Sequence, residues 1–243
     1  MPNKKTKTVA IITARGGSKR IPRKNIRPFL GHPIIKYSID TSIKSKCFSE
    51  IMVSTDDKEI AEVSKKLGAK VPFFRSEKNS DDHTTTADVI DEVLLEYKKR
   101  GKEFNYVCCI YPTAPFITPK KIKMAMDLLK KPGVDSVIPV VRFSYPIQRS
   151  LNIKKDGMLK MIWPENMNIM SQDLMPTYHD CGQFYCLNVK SFLVQKKLFT
   201  KKTVPIIVPE SEVQDIDNEE DWKVAEIKYK LLKKINSNHA EKN

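Results

Sequence analysis

Residues 9–25 read VAIITARGGSKRIPRKN, a buried-looking apolar run that empties into a loop carrying five cations and two glycines between Ala14 and Asn25. A strand, a glycine-bearing loop with Ser, Lys and Arg, and then a helix is the arrangement that gathers backbone N–H groups and cations around phosphates at the carboxyl end of a parallel sheet. Neither GxxxxGK[ST] nor GxGxxG is present, so the loop is a different kind of phosphate cradle. In it Arg15 is suited to two-pronged bonds with phosphate oxygens, and Lys19 and Lys24 to point charge. Gly16 and Gly17 allow close backbone approach, and Pro22 stiffens the turn. An exposed basic loop that touches nucleic acid is the competing reading of the same composition.

Outward from this loop, strand and helix signals alternate. A helix carrying Ile35, Ile39 and Ile43 precedes the strand EIMVST (50–55), and a second helix with Ile60, Val63 and Leu67 follows. Asp56 with Glu59 three residues on predicts a capping box at the start of that second helix. Ile90, Val93, Leu94 and Tyr97 stand at helical spacing ahead of the buried-strand run YVCCIY (106–111). This βαβα order predicts an α/β fold with a mostly parallel, doubly wound sheet.

After the strand DSVIPVV (135–141) the pattern changes. Residues 142–177 show extended alternation, the turn signal KKDG and no clear helix, which predicts a β-ribbon inserted into the α/β domain. GQFYCLN (182–188) returns to the sheet, VPIIVP (204–209) adds a strand, and a last helix is expected from about Asn218 to Lys233. The expected organisation is an α/β domain of residues 1–141 and 178–235, an inserted ribbon at 142–177 and a flexible polar tail at 236–243.

Across 243 residues, 43 Lys and Arg against 29 Asp and Glu give a net charge of +14, which favours anionic ligands. Many lysines stand singly along helix-like segments as solvated faces do, and no helix-turn-helix, zinc-finger or RNP signature accompanies them, so no nucleic-acid partner is expected. The five cysteines form no CxxC pair, in keeping with a reduced cytoplasmic protein. No apolar stretch approaches the roughly 18 residues of a membrane span, and no signal-peptide pattern opens the chain, so no membrane association is expected.

The stretch RGGSKRIPRKN resembles the signature loop of the cytidylyltransferases that activate ulosonic acids, the family of the CMP-sialic acid synthetases, in its spacing R-x-G-S-K-x-x-P-x-K-N. The resemblance continues through VSTDD (53–57), FRSEKNSDDHTTTAD (74–88), YPTAP (111–115) and VQDIDNEEDW (213–222). It implies a Rossmann-like nucleotidyltransferase domain that joins the anomeric hydroxyl of a sugar acid to the α-phosphate of CTP and releases pyrophosphate. By the same resemblance Arg15, Lys19 and Lys24 grip the triphosphate, with Gly17, Ser18 and Asn25 completing the loop. Arg75 would contact cytosine, and Thr84 and Thr86 would lie by base and ribose.

Asp215 and Asp217, two apart in QDID, face one way if the segment is extended, and paired hard oxygens suit Mg²⁺ at phosphates. Asp217 with Glu220 also reads as a capping box for the last helix, and Asn218 is a further cap candidate. Spacing leaves these readings open for Asp217. The resemblance matches both aspartates to the family's metal ligands, Mg²⁺ or Mn²⁺. His32, His83, His179 and His239 lack metal-ligand spacing.

The segment SQDLMPTYHDCGQFYC (171–186) resembles the pseudaminic acid branch, whose version runs close to RSQDLxPAYHDAGQFYW, more than the RRQDLPxxYxxNGAIY of the sialic acid branch. YPIQRSL (145–151) belongs to the same branch, and Tyr111 departs from the glutamine of QPTSP in sialic acid enzymes. Met170, Cys181 and Cys186 depart from the pseudaminic pattern. The resemblance implies pseudaminic acid as acceptor, serving surface glycan or flagellin glycosylation, with N-acetylneuraminic or legionaminic acid as alternatives. It implies sugar contacts from Tyr111, Thr113, Gln148, Arg149, Gln172, Tyr178, Gln183 and Phe184. It also implies a homodimer with exchanged ribbons, in which Gln148 and Arg149 reach a partner's pocket.

Overall fold

A computed structural model describes residues 6–240. Strand β1 (Thr8–Thr13) enters the loop of residues 14–27, and two short strands, β2 (Pro28–Phe29) and β3 (His32–Pro33), form a hairpin before helix α1 (Ile35–Ser45). Then come β4 (Glu50–Ser54), α2 (Lys58–Lys66), α3 (Thr86–Lys99), β5 (Tyr106–Ile110), α4 (Pro119–Leu129) and β6 (Ser136–Arg142). β7 (Leu151–Ile153) pairs with β8 (Leu159–Met161), and β9 (Tyr178–Asp180), β10 (Phe184–Asn188), α5 (Val189–Gln195), β11 (Thr203–Ile207) and α6 (Glu219–Ala240) complete the chain.

The central sheet has seven strands, running β11-β6-β10-β5-β1-β4 with β9 added on β6. β4, β1, β5, β6 and β11 point one way, while β9 and β10 are antiparallel to their neighbours. The mostly parallel expectation therefore holds. From β1 the chain crosses to β4 on one side and later returns to β5 on the other. The carboxyl ends of β1 and β5 thus flank a topological switch point, the usual crevice for a ligand in an open α/β sheet.

The sheet is covered on both faces because β1 is apolar without a break from Val9 to Ile12, as buried parallel strands are. Ala10 and Ile12 pack with Ile35, Ile39, Ile122 and Met126 of α1 and α4. Val9 and Ile11 pack with Ile90, Val93, Tyr97 and Phe192 of α3 and α5. A third cluster joins Ile21 of the basic loop, Phe29, Ile34, Phe116, Ile216 and Trp222 beneath α6.

The starts of α2 and α6 fall close to the expected ones. Asp57, not Asp56, caps α2, its carboxylate accepting from the Ile60 N–H at 2.9 Å. Asp56 is instead drawn to the basic loop, where it accepts from the Gly16 N–H at 2.8 Å. The last helix runs to Ala240, well beyond the expected end at Lys233, so the expected tail is helical as far as it is described. Residues 241–243 of that tail lie outside the described residues. α4 and α5 carried no expectation from periodicity. α4 begins with a Thr118 cap and Pro119 in its first turn, and α5 is only seven residues long.

The segment 142–177 holds less regular structure than a ribbon. Arg142 still belongs to β6, and beyond it the only strands are β7 and β8, three residues each, flanked by single 3₁₀ turns at Ile147–Arg149 and Pro164–Asn166. The cross-strand pairs Leu151/Met161 and Ile153/Leu159 are apolar. Leu151, Ile153 and Leu159 are each more than half exposed.

Candidate active site

At the switch point lies an open cavity of about 420 Å³. Thr13 at the end of β1, Tyr111, Pro112 and Thr113 after β5, and Arg15, Ser18, Lys19, Lys24 and Asn25 of the basic loop line it, with Arg75, Thr84 and Thr86 opposite. The residues expected to hold the nucleotide thus converge on one space, although they come from segments up to about a hundred positions apart in sequence. Gly17 is the exception: it is not part of the lining, and a Cβ there would meet nothing within 4 Å. Gly16 is different. A Cβ there would lie 2.9 Å from Asp57, so its glycine serves close packing against α2.

The five cations of the loop divide into distinct settings. Arg15 faces the cavity, donates to the Asp81 carbonyl at 2.8 Å and pairs with Asp82 at 2.7 Å; Lys19 pairs with the same Asp82 at 2.5 Å. Their bonds to it, Lys19 first, hold the Asp82 carboxyl below its ordinary range. Arg20 reaches Asp217 at 2.8 Å. Lys24 is largely buried: its ammonium donates to the Ile216 carbonyl at 2.7 Å and stands 3.8 Å from Asp217. Burial lowers the Lys24 pKa, with Asp217 and then Asp215 opposing the shift. Arg23 turns away from the cavity to Asp57 and Glu59. Its backbone is left-handed, at φ 56°, a conformation costing a non-glycine residue about 1–2 kcal/mol.

Asn25 closes the loop on itself, donating its side-chain N–H to the Arg15 carbonyl at 2.8 Å. Arg75 is buried against β4, with Nε 3.0 Å from Ser54 Oγ and Nη2 2.7 Å from the Ser54 carbonyl. Thr84 is held by Asp81, and the Thr86 hydroxyl lies 2.8 Å from the Tyr111 hydroxyl. These bonds preset the cavity wall, so few side chains need ordering when a ligand enters.

Asp215 and Asp217 flank Ile216, which is buried in the third core cluster together with Ile21. Burying these two isoleucines contributes about 1.5–3 kcal/mol each and locks the carboxylate segment to the basic loop. The charges of both carboxylates reach the Lys24 ammonium, so the pair stands together beside the basic loop. Burial, and next the neighbouring Asp217, raise the Asp215 pKa. A half-buried carboxylate held beside a second one is an environment that a hard cation relieves. Among the described residues no group of three or more His, Cys, Asp or Glu side chains is gathered for a metal. Two carboxylates that leave the remaining positions to phosphate and water fit Mg²⁺, which dehydrates reluctantly. The helix-cap alternative goes to another residue: Asn218 Oδ1 accepts from the Glu220 and Asp221 N–H groups, each at 2.9 Å. Asp217 does not cap α6.

The expected sugar contacts do not converge in this way. Tyr111 and Thr113 line the cavity. Gln183 is buried and donates to the Glu212 carbonyl at 2.7 Å, bracing the segment that leads to Asp215. Phe184 is wholly inside the core, packed with Ile12 and Ile110, where a soluble ligand does not reach it. Both depart from the expectation because β10, which Phe184 opens and Gln183 immediately precedes, is inserted between β5 and β6 in the covered sheet. Tyr178 is exposed on β9. Gln148 donates to the Met175 carbonyl at 2.9 Å, Arg149 bonds the Ile169 carbonyl, and Gln172 lines a separate hollow beside Ser171 and Met175. Sequence reasoning missed Asp57, Asp82 and Arg23 as organisers of the loop, for charges dozens of residues apart leave no periodic trace.

A phosphate-sized cluster of cations at a switch point, next to paired carboxylates, defines a nucleotidyltransferase-type site. A family model described as Cytidylyltransferase matches residues 9–239. The chain is 37% identical over 93% of its length to a pseudaminic acid cytidylyltransferase of Campylobacter jejuni, covering 97% of that protein. It is 34% identical over 90% of its length to a CMP-N,N'-diacetyllegionaminic acid synthase of Legionella pneumophila, covering 94% of it. In fold it resembles a CMP:2-keto-3-deoxy-manno-octonic acid synthetase solved with CTP, with a TM-score of 0.64 at 16% identity over 98% of this chain and 100% of that one. The chain belongs to the cytidylyltransferase family and is a CTP-dependent nucleotidyltransferase.

Proposed function

We propose that the chain couples pseudaminic acid to CMP. The anomeric hydroxyl oxygen bonds to the α-phosphorus of CTP as its proton passes to water, the bond to the β-phosphate oxygen breaks, and pyrophosphate departs with that electron pair. Arg15, Lys19 and Lys24 balance the charge that builds on the phosphoryl and leaving-group oxygens. Arg75, Thr84 and Thr86 orient the nucleoside, and Tyr111 and Thr113 border the acceptor. Asp215 and Asp217 would hold Mg²⁺ or Mn²⁺, which supplies neutralisation of phosphate charge when bound.

The observation that carries the acceptor is the 37% identity to the Campylobacter jejuni enzyme across nearly the whole chain. The relative from Legionella pneumophila supports a second reading, a legionaminic-type acceptor on the same machinery. Pyrophosphate release with CTP and a panel of nonulosonic acids separates them. Higher kcat/KM with legionaminic or N-acetylneuraminic acid than with pseudaminic acid would overturn the acceptor, and equal turnover with UTP would overturn cytosine selection by Arg75.

The same reading includes a homodimer in the cytoplasm. The exposed apolar pairs of β7 and β8 have too little core to stand alone and favour a partner surface, for which a second copy is the occupant that returns Gln148 and Arg149 toward a sugar pocket. No helix among the described residues is long and apolar enough to cross a membrane.

A further inference from the structure

We propose that Arg23 is a positioning residue that, anchored on Asp57, sets the direction of Lys24, and that it does not bind phosphate. The inference rests on the phosphate-binding role of Arg15, Lys19 and Lys24 given above.

Arg23 sits in the middle of a cation cluster whose obvious purpose is an anion, yet its side chain leaves the cluster. Its two terminal nitrogens meet the two oxygens of Asp57 at 2.6 and 3.0 Å, and the second also bonds Glu59. That two-pronged geometry is the strongest ordinary ion pair a guanidinium makes, and both members are partly shielded from solvent. The Arg23 pKa is accordingly raised and that of Asp57 lowered, each chiefly through this bond. The neighbours Arg20, Ile21 and Lys24 line the cavity, but Arg23 does not.

Asp57 is itself rigidly placed. One of its oxygens caps α2 through the Ile60 N–H, and its Cβ lies where a side chain at Gly16 would have to be. One carboxylate therefore abuts the entry of the loop at Gly16 and, through Arg23, holds its exit next to Lys24. The left-handed backbone at Arg23 reverses the chain so that consecutive side chains diverge, Arg23 outward to α2 and Lys24 inward to Ile216 and Asp217. Loss of the anchor frees that turn to relax, and Lys24 loses its aim.

The test pairs Arg23→Gly, which suits a left-handed backbone, with Asp57→Asn, which keeps a competent helix cap. Each should lower kcat about ten- to a hundredfold, with a smaller change in KM for CTP, as a displaced catalytic group does. The double variant should be no worse than the poorer single, because both remove the same bond. Arg23→Lys, which keeps the cation without the fork, should recover only part of kcat. If Arg23 were a phosphate ligand, Arg23→Gly would raise the KM for CTP while Asp57→Asn, by releasing it, would lower it. That opposition, or additive losses, would overturn the proposal. A nucleotide-free readout stands apart from the catalytic reading: trypsin should cut after Arg20 or Lys24 faster in Asp57→Asn than in the wild-type chain. Unchanged cutting would refute the anchor whether or not CTP binds, whereas failure of the wild-type chain to bind CTP would refute the phosphate-binding role.

Discussion

The loop of residues 14–25 and the segment of residues 142–177 are both polar-looking insertions at the carboxyl end of the same sheet, and they are held in opposite ways. Each cation of the first, and Asn25, is tied to a partner within the chain: Arg15 and Lys19 to Asp82, Arg20 to Asp217, Arg23 to Asp57, Lys24 to Ile216, Asn25 back to Arg15. The second has two three-residue strands and leaves Leu151, Ile153, Leu159, Met170 and Met175 exposed. A preorganised loop is what catalysis on a triphosphate demands, because charge must already be in place when the transition state forms. An apolar segment left uncovered is instead an unfinished surface. The residues proposed to hold the nucleotide are gathered around one cavity, and those proposed for the acceptor are scattered.

The contrast can be broken most forcefully at Lys24. Lys24→Ala should cut pyrophosphate release by about a hundred- to a thousandfold, the usual cost of deleting one preorganised charge donor. Its melting temperature should stay close to that of the wild-type chain, because the ammonium is held against desolvation by carboxylates that are themselves solvated in part. A large stability loss with modest kinetic change would make Lys24 a structural residue.

Next come the carboxylates. Asp217→Asn and Asp215→Asn should each lower turnover by roughly two orders of magnitude if they hold a divalent cation, a few kcal/mol of transition-state charge stabilisation. Neither should lower thermal stability, since Asn218 supplies the cap of α6 and Asp215 carries a raised pKa that its amide relieves. Normal turnover with saturating Mg²⁺ in both variants would remove the metal role.

The acceptor half predicts an effect that depends on assembly. Replacing Ile153 and Leu159 together by Ser should move sedimentation toward the monomer and raise the KM for the sugar acid, while CTP binding measured calorimetrically stays within about twofold, because the residues proposed to contact the nucleotide line one cavity of a single chain. Unaltered sedimentation would mean that the pair packs on its own chain.

The smallest expected change sharpens the same comparison. Asp82 occupies the cations that a triphosphate needs, so Asp82→Asn should lower the KM for CTP by about two- to fivefold, within the usual range for an exposed ion pair. A rise in KM would show that Asp82 orders the loop bearing Thr84 more than it competes with phosphate.

Much of this was legible in the sequence because it is encoded locally. The apolar run Val9–Ile12, the helical spacing of Ile90, Val93, Leu94 and Tyr97, and the strand Tyr106–Ile110 each report burial through their own period, and burial decides the element. The cation and glycine content of residues 14–25 likewise marked the loop that lines the cavity, and the carboxylates at 215–217 stood out in a spacing of two. Tertiary structure alone decided which cations face the cavity. Arg23 and Lys24 are adjacent and chemically alike, yet one is drawn to Asp57, 34 residues away, and the other to Ile216, 192 residues away. It also turned Gln183 inward, seated Phe184 in the core and gave the cap of α6 to Asn218. Charge pairing acts through space at a few ångströms, and only the closed chain brings such distant partners within that range.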